Sequence, residues 1–294
     1  GIAIHVGLEI YYDPDRATYD TSVREGLALR AFKDSCDNQR ARILLAQPSL
    51  AVEIEEDFAE RETLGKEMLQ HYFMHWEFVG DDFAPVKSEV EFEVEIPGID
   101  AVYQGRIDLI IENEEGYWIV DHKTAAQFTD TSYLDLDMQI SSYCWAIRKQ
   151  LGIPVKGVII NELRKSVAKE PAVNKDGSLS RNKSQGTSGI MLRWKIKQLG
   201  LDTVPYTDYI DYLDASKHYF RRTTLYRSDE ELANVEELIR LEALDMLDFP
   251  SIYPNPTRFN CNGCSFFAPC LAKMDGGDPN WILEESGRYT KEKY

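Results

Sequence analysis

The sequence has no run of about 18 apolar residues, so no stretch of it suits a membrane-crossing helix. Cysteine is scarce and odd in number, five in 294 residues, which does not suit a disulfide-stapled secreted scaffold. Positive charge is in deficit: 33 Lys and Arg stand against 50 Asp and Glu, a net charge of −17 that argues against a generically basic, DNA-coating protein. The opening GIAIHVGLEIYYD lacks the basic region and cleavage site of a secretory signal. Internal repeats and low-complexity tracts are missing too. These absences lead to the expectation of a soluble cytoplasmic protein with no membrane partner. What is present, 43% hydrophobic and 28% charged residues, is an ordinary globular mixture with enough apolar material for a large core.

Periodicity divides the chain. Residues 1 to 80 carry apolar residues three and four apart and are expected to form a helical layer. The chain begins at Gly1 inside this helical pattern, so further residues are expected upstream. From Val86 the period changes to two: Val90, Phe92, Val94 and Ile96 alternate with Glu, the pattern of a half-buried strand that Gly98 ends. AVYQGRIDLIIE and GYWIVDHKTA read as two further strands joined by a turn rich in Asn, Glu and Gly. If that turn centres between Glu114 and Glu115, Asp108 faces Asp121. Asp121 and Lys123 share a face because strand side chains alternate.

Residues 134 to 151 read as an amphipathic helix on which Gln139 and Tyr143, four apart, are neighbours. VKGVIINEL is expected to be another strand, making residues 86 to 162 an α/β unit with a mixed sheet. Residues 163 to 197 differ in composition. Nine Lys or Arg stand there against Glu170 and Asp176, so the segment is +7 and the remainder −24. It reads as a long polar excursion with Arg181 and Lys183 near its tip. Helices are expected again over about 206 to 247, and a tail from 251 to 294 contains Cys261, Cys264 and Cys270. Clustered thiols suggest a metal; Cys144, inside a helix, suggests core packing.

An acid on one hairpin strand, and an acid, one residue and a lysine on the next, form a constellation with a definite chemistry. Two carboxylates can hold a hard divalent cation, and a neighbouring lysine can bind a phosphate or orient a water. A surface hairpin with solvated acids is the plain alternative.

This pattern resembles the PD-(D/E)XK nuclease superfamily, with Asp108, Asp121 and Lys123 in its motif. GIAIHVGLE resembles the His-bearing helix of RecB-like exonucleases, which implies His5 as a metal ligand, with Glu9 one turn on. QISSY matches the QxxxY motif of that branch, which implies supporting roles for Gln139 and Tyr143. RFNCNGCSFFAPC has the cysteine spacing of iron–sulfur members such as AddB and the CRISPR-associated protein-four exonucleases. The resemblance implies a single nuclease domain over residues 1 to 294, with a mixed central sheet flanked by helices, helical insertions and a metal-thiolate tail. It also implies a Mg²⁺- or Mn²⁺-dependent DNA exonuclease, phage or prokaryotic, in DNA processing, recombination or repair.

Two departures stand out: the second acid is Asp121 rather than Glu, and His122 stands where a hydrophobic residue is usual. In the family the backbone carbonyl of that position is a metal ligand. The cluster, [4Fe-4S] with zinc as the alternative, would be structural; its fourth ligand would come from an upstream cysteine or from Cys36. The DNA partner would be single strands or duplex ends, gripped by Arg181 and Lys183 and, following Tyr219 and Phe220, by Arg221 and Arg222. The alternatives are a CRISPR spacer-acquisition nuclease and a catalytically silent DNA-binding subunit of a helicase–nuclease machine. A homo-oligomer or a recombination or helicase partner is also compatible.

Overall fold

The structure, a computed structural model, describes residues 1–248, 257–261 and 264–285. Three helices come first: α1 (Ile2–Tyr11), α2 (Thr21–Ala46) and α3 (Ala51–Val79). The expected helical layer is therefore present. Gly80, at φ +92, ends α3 in a conformation that a side chain would strain, and the chain turns into the sheet. β1 (Ala84–Glu95), β2 (Val102–Asn113) and β3 (Gly116–Ala125) form an antiparallel meander. The β2–β3 turn centres between Glu114 and Glu115, with Leu109 opposite Val120, so Asp108 comes opposite Asp121 as the turn residues predicted.

After β3, a 3₁₀ turn at Thr131–Leu136 leads into α4 (Met138–Leu151). Asp137 caps that helix by accepting from the N–H groups of Gln139 (2.8 Å) and Ile140 (3.3 Å), and Gly152 at φ +66 closes it. This helix is the crossover that returns the chain to β4 (Gly157–Arg164), parallel to β3. The result is a five-stranded mixed sheet of order β1-β2-β3-β4-β5. Helices flank it, as expected for the fold.

Its two faces bury separate apolar layers. Ile4, Leu8, Phe32, Leu69 and Phe73 from α1–α3 cover Leu109, Ile111, Trp118 and Val120. Ile140, Cys144 and Ile147 of α4, with Leu232, Val235 and Ile239 of α7 (Asp229–Asp248), cover Ile107, Ile110, Ile119 and Val158. Burial pushes the Cys144 thiol up to about 12, in keeping with a packing role.

Two expectations change. Residues 220 to 226, expected within a helical stretch, form the strand β5 (Phe220–Tyr226), antiparallel to β4. Pairing along the exposed edge of β4 decides the matter there, and the β-branched pair Thr223 and Thr224 suits it. The basic segment is not a structureless excursion either. It contains α5 (Gly189–Leu199), capped by Ser188 and packed against α6 (Thr207–Ser216) through Leu192, Ile196, Ile210 and Leu213.

By internal contacts the chain divides into a unit at Gly1–Ala243, holding the sheet, and one at Leu244–Tyr294, holding α8 (Arg258–Cys261) and α9 (Phe267–Met274). Among the described residues no helix is long and apolar enough to cross a membrane.

Candidate active site

Hairpin register sets the two acids side by side. Asp108 accepts the backbone N–H of His122 through Oδ2 (2.7 Å), and its Oδ1 lies 3.4 Å from Nδ1 of His5 on α1. Burial pushes the Asp108 carboxyl up, but His5 and His122 together outweigh it and hold the group below the usual carboxylate range. Asp121 is paired with Lys123, at 2.9 Å from its Nζ. There burial wins: the Asp121 carboxyl stays raised despite the lysine, and the negative Asp108 adds to the rise. Lys123 is half-exposed and is raised by Asp121 against a desolvation that pulls it down.

Gln139 and Tyr143 lie on one face of α4, and the Gln139 amide donates to the Tyr143 hydroxyl (2.9 Å). Burial raises the phenol, and Asp121 and Lys123 are near enough to act on it electrostatically. All five residues of the motif reading, with His5, therefore belong to one neighbourhood. Ser141 and Leu134 anchor α4 from the other side, accepting from the buried Arg227 (2.7 and 2.8 Å).

The His122 side chain leaves the face of β3 that carries Asp121 and Lys123, with its ring edge-on to that of His5 at 6.1 Å. Its ring is 2% exposed, lies 6.0 Å from the near-parallel ring of Tyr12, and accepts at Nδ1 from Asn161 (2.8 Å). Burial drives its pKa to about 3, so the ring is neutral, and it is the main-chain N–H of His122 that binds Asp108. Asn161 also donates to Tyr72 (2.8 Å), whose hydroxyl lies 2.9 Å from that of Tyr12. Arg222 closes this network. Its side chain is only 10% exposed, reaches Asp81 (2.9 Å), Asp82 (3.0 Å), Tyr12 (3.0 Å) and Tyr72 (3.2 Å), and lies between the rings of Trp76 and Phe83.

The expected DNA-gripping cations thus find other partners. Arg222 is buried, its two terminal nitrogens are taken and its Nε is sealed from solvent, so it has no donor within reach of a strand. Arg221 is bound to the buried Glu162 (2.6 Å) and to the Thr129 carbonyl (2.6 Å), and lies over the Phe128 ring. Arg181 donates to the Pro205 carbonyl (3.1 Å), and Lys183 sits over the Tyr212 ring (4.4 Å).

Sequence reasoning missed Glu162, Asn161 and Glu89. Glu162 sits opposite Lys123 in the β3–β4 register and accepts from the Thr129 N–H (2.7 Å). A glutamate in the apolar run VIINEL was the available signal. Glu89, at φ +46 on β1, meets Arg106 (2.9 Å) and lines a cavity of about 260 Å³ with His5, Glu9, Arg106 and Asp108. Burial raises both Glu9 and Glu89.

Two half-buried carboxylates, an imidazole and a backbone carbonyl make a hard donor set suited to Mg²⁺ or Mn²⁺. The Asp121 carboxyl is raised chiefly by burial, with the negative Asp108 adding to the rise, and a divalent cation between the two acids would favour its ionised form. Among the described residues, no three His, Cys, Asp or Glu side chains converge as a metal site. Each acid is instead turned to an internal partner, Asp108 to His5 and Asp121 to Lys123. Cys261, Cys264 and Cys270 have free thiols close in sequence, but they do not converge either, and three donors do not complete a tetrathiolate.

The sequence profile of the PD-(D/E)XK nuclease superfamily matches residues 1–270. No curated protein matches the chain. Among solved structures, the chain is similar to SSO0001, with 18% identity over 80% of this chain and 81% of the other and a TM-score of 0.33. It is also similar to a protein of Eubacterium rectale named as a candidate exonuclease, with 11% identity over 77% and 80% and a TM-score of 0.34.

Proposed function

Because the chain belongs to the PD-(D/E)XK nuclease superfamily, we propose that it is a Mg²⁺- or Mn²⁺-dependent exonuclease of the RecB-like type that hydrolyses phosphodiester bonds in DNA. The observation that carries this reading is the pairing of Asp108 opposite Asp121 with Lys123 held at 2.9 Å from the second acid. His5, Asp108, Asp121 and the His122 carbonyl would hold the cation, which when bound polarises the scissile phosphate and lowers the pKa of a coordinated water. Lys123 orients the attacking water and offsets charge that develops on the phosphate. Asp121 keeps that ammonium in place, and Gln139 with Tyr143 presents a hydroxyl and an amide to the water or the strand backbone. The His122 N–H holds Asp108 through Oδ2.

A role in recombination or repair, in a phage or prokaryotic cell, follows from the same motif resemblance. A [4Fe-4S] or zinc site in the tail is supported by the cysteine spacing alone, and no step of hydrolysis runs through it. Protein purified without oxygen that is colourless and free of both iron and zinc would remove that part.

The central test uses end-labelled DNA with Mg²⁺ or Mn²⁺. Lys123→Ala should slow its degradation by about 10²- to 10³-fold while the circular-dichroism spectrum stays unchanged, since Lys123 is half-exposed. Full activity in that variant would overturn the assignment. The label released first gives the polarity of digestion.

A further inference from the structure

A cavity of about 400 Å³ lies between α3 and the basic segment, within the size range of small-ligand sites. One wall is the C-terminal half of α3, with His71, His75 and Phe78; the other is the start of α5 with Arg193; Lys217 and Phe220 close it. We propose that this cavity binds a nucleoside monophosphate unit, with the base on the aromatic floor and the phosphate at Lys217. This rests on the reading of the chain as a nuclease acting on DNA.

Position comes first. In the sheet register Thr124, beside Lys123, pairs with Leu163, and Leu163 pairs with Phe220. Phe220 is therefore two strand spacings, about 10 Å, from the catalytic strand, at the ends of β3 and β4 that point the same way.

The chemistry of the walls fits a base. Phe220 and His75 line the cavity with ring centres 5.3 Å apart and planes tilted by 59°, an aromatic corner against which a planar heterocycle can pack. Burial lowers both His71 and His75, the latter to about 4, so each imidazole is neutral and presents a donor or an acceptor, rather than a charge, to a base edge.

The charges fit a phosphate at one place. Arg193 is answered by Asp214 (2.9 Å), and that carboxylate lies against Gly189, where a Cβ would stand 1.8 Å from its Oδ1. The N-terminus of α5 is thus already occupied by an acid. Lys217 has no ion pair among the described residues, leaving one cation for the phosphate.

The test is calorimetric titration of the full chain with dTMP and, separately, with a short oligothymidylate, both in EDTA so that catalysis plays no part. Saturable dTMP binding is expected, weakened about tenfold by Lys217→Ala and lost when Met74→Trp fills the cavity. Asp121→Asn should leave it unchanged. If Lys217→Ala weakens the oligomer in parallel, the ligand is a nucleotide of a DNA strand; if only dTMP responds, it is the free nucleotide. Absence of dTMP binding, or binding that responds to Asp121→Asn and not to Lys217→Ala or Met74→Trp, overturns the proposal. Either result leaves the Lys123 assay standing, so the two readings fail separately.

Discussion

Arg222 and Arg221 are sequence neighbours with opposite fates, because successive side chains on a strand point to opposite faces. Arg222 enters the layer covered by α1 and α3, where two tyrosines, two aspartates and two aromatic rings receive it. Removing it would leave Asp81 and two buried hydroxyls without their cation. Arg222→Ala should therefore cost about 3–5 kcal/mol, read as a shift of the urea-unfolding midpoint. A midpoint within experimental error of the wild type would contradict its structural role. The alternation that placed Asp121 and Lys123 together also turned His122 to the other face, and that much was legible in the sequence. What waits on that face was not: Tyr12, Tyr72 and Asn161 lie 110, 50 and 39 positions away, and no local pattern announces them.

At the scale of elements, the connection from β3 to α4 carries the machinery from Lys123 to Gln139, and Glu162 fixes its start. This buried carboxylate binds the Thr129 N–H with one oxygen and Arg221 with the other, while Arg221 returns to the Thr129 carbonyl. Glu162→Gln removes the charge and sets an amide N–H₂ against donors. The free energy of opening should drop by about 2 kcal/mol, raising hydrogen exchange about 30-fold over residues 126–137 and not in β3. Uniform protection in the variant would show that the clamp does not govern this segment. Strands β1 to β3 were legible because their pairing is local: alternation gave the faces and a four-residue turn gave the register. β5 was not, since its seven residues owe their conformation to β4, some sixty positions earlier. The basic segment misled for a related reason. Its charge was visible, but the acids and rings that receive Lys195, Arg193 and Lys183 are distant in sequence.

At the scale of the whole molecule, the buried His122 and the partly buried His75 contribute to the response to acid. His122 titrates at about 3 and His75 at about 4 in the folded chain, against about 6.5 when unfolded. Both are held neutral by burial, so the stability they confer is fully present above pH 6.5. It is lost as the pH falls from there toward 4 and 3, because the unfolded chain binds protons that the folded chain refuses. Their contribution to the slope of unfolding free energy against pH should approach about two protons near pH 5 and drop to one in His122→Phe. An unchanged slope in that variant would mean that the ring is not kept neutral.

The contacts of Arg222 also say when in its history the molecule becomes itself. Its partners Tyr12 and Tyr72 precede it by 210 and 150 residues, and β5, which carries it, is the last strand among the described residues. A chain emerging from the ribosome already holds both acids and the lysine by residue 123, but the hydroxyls of Tyr12 and Tyr72 lack their cation until residue 222 follows. Closing so long a loop comes late and slowly. The order of synthesis thus separates the appearance of the reactive side chains from the completion of their support, and fragments ending before β5 should bury His122 less well than the whole chain does.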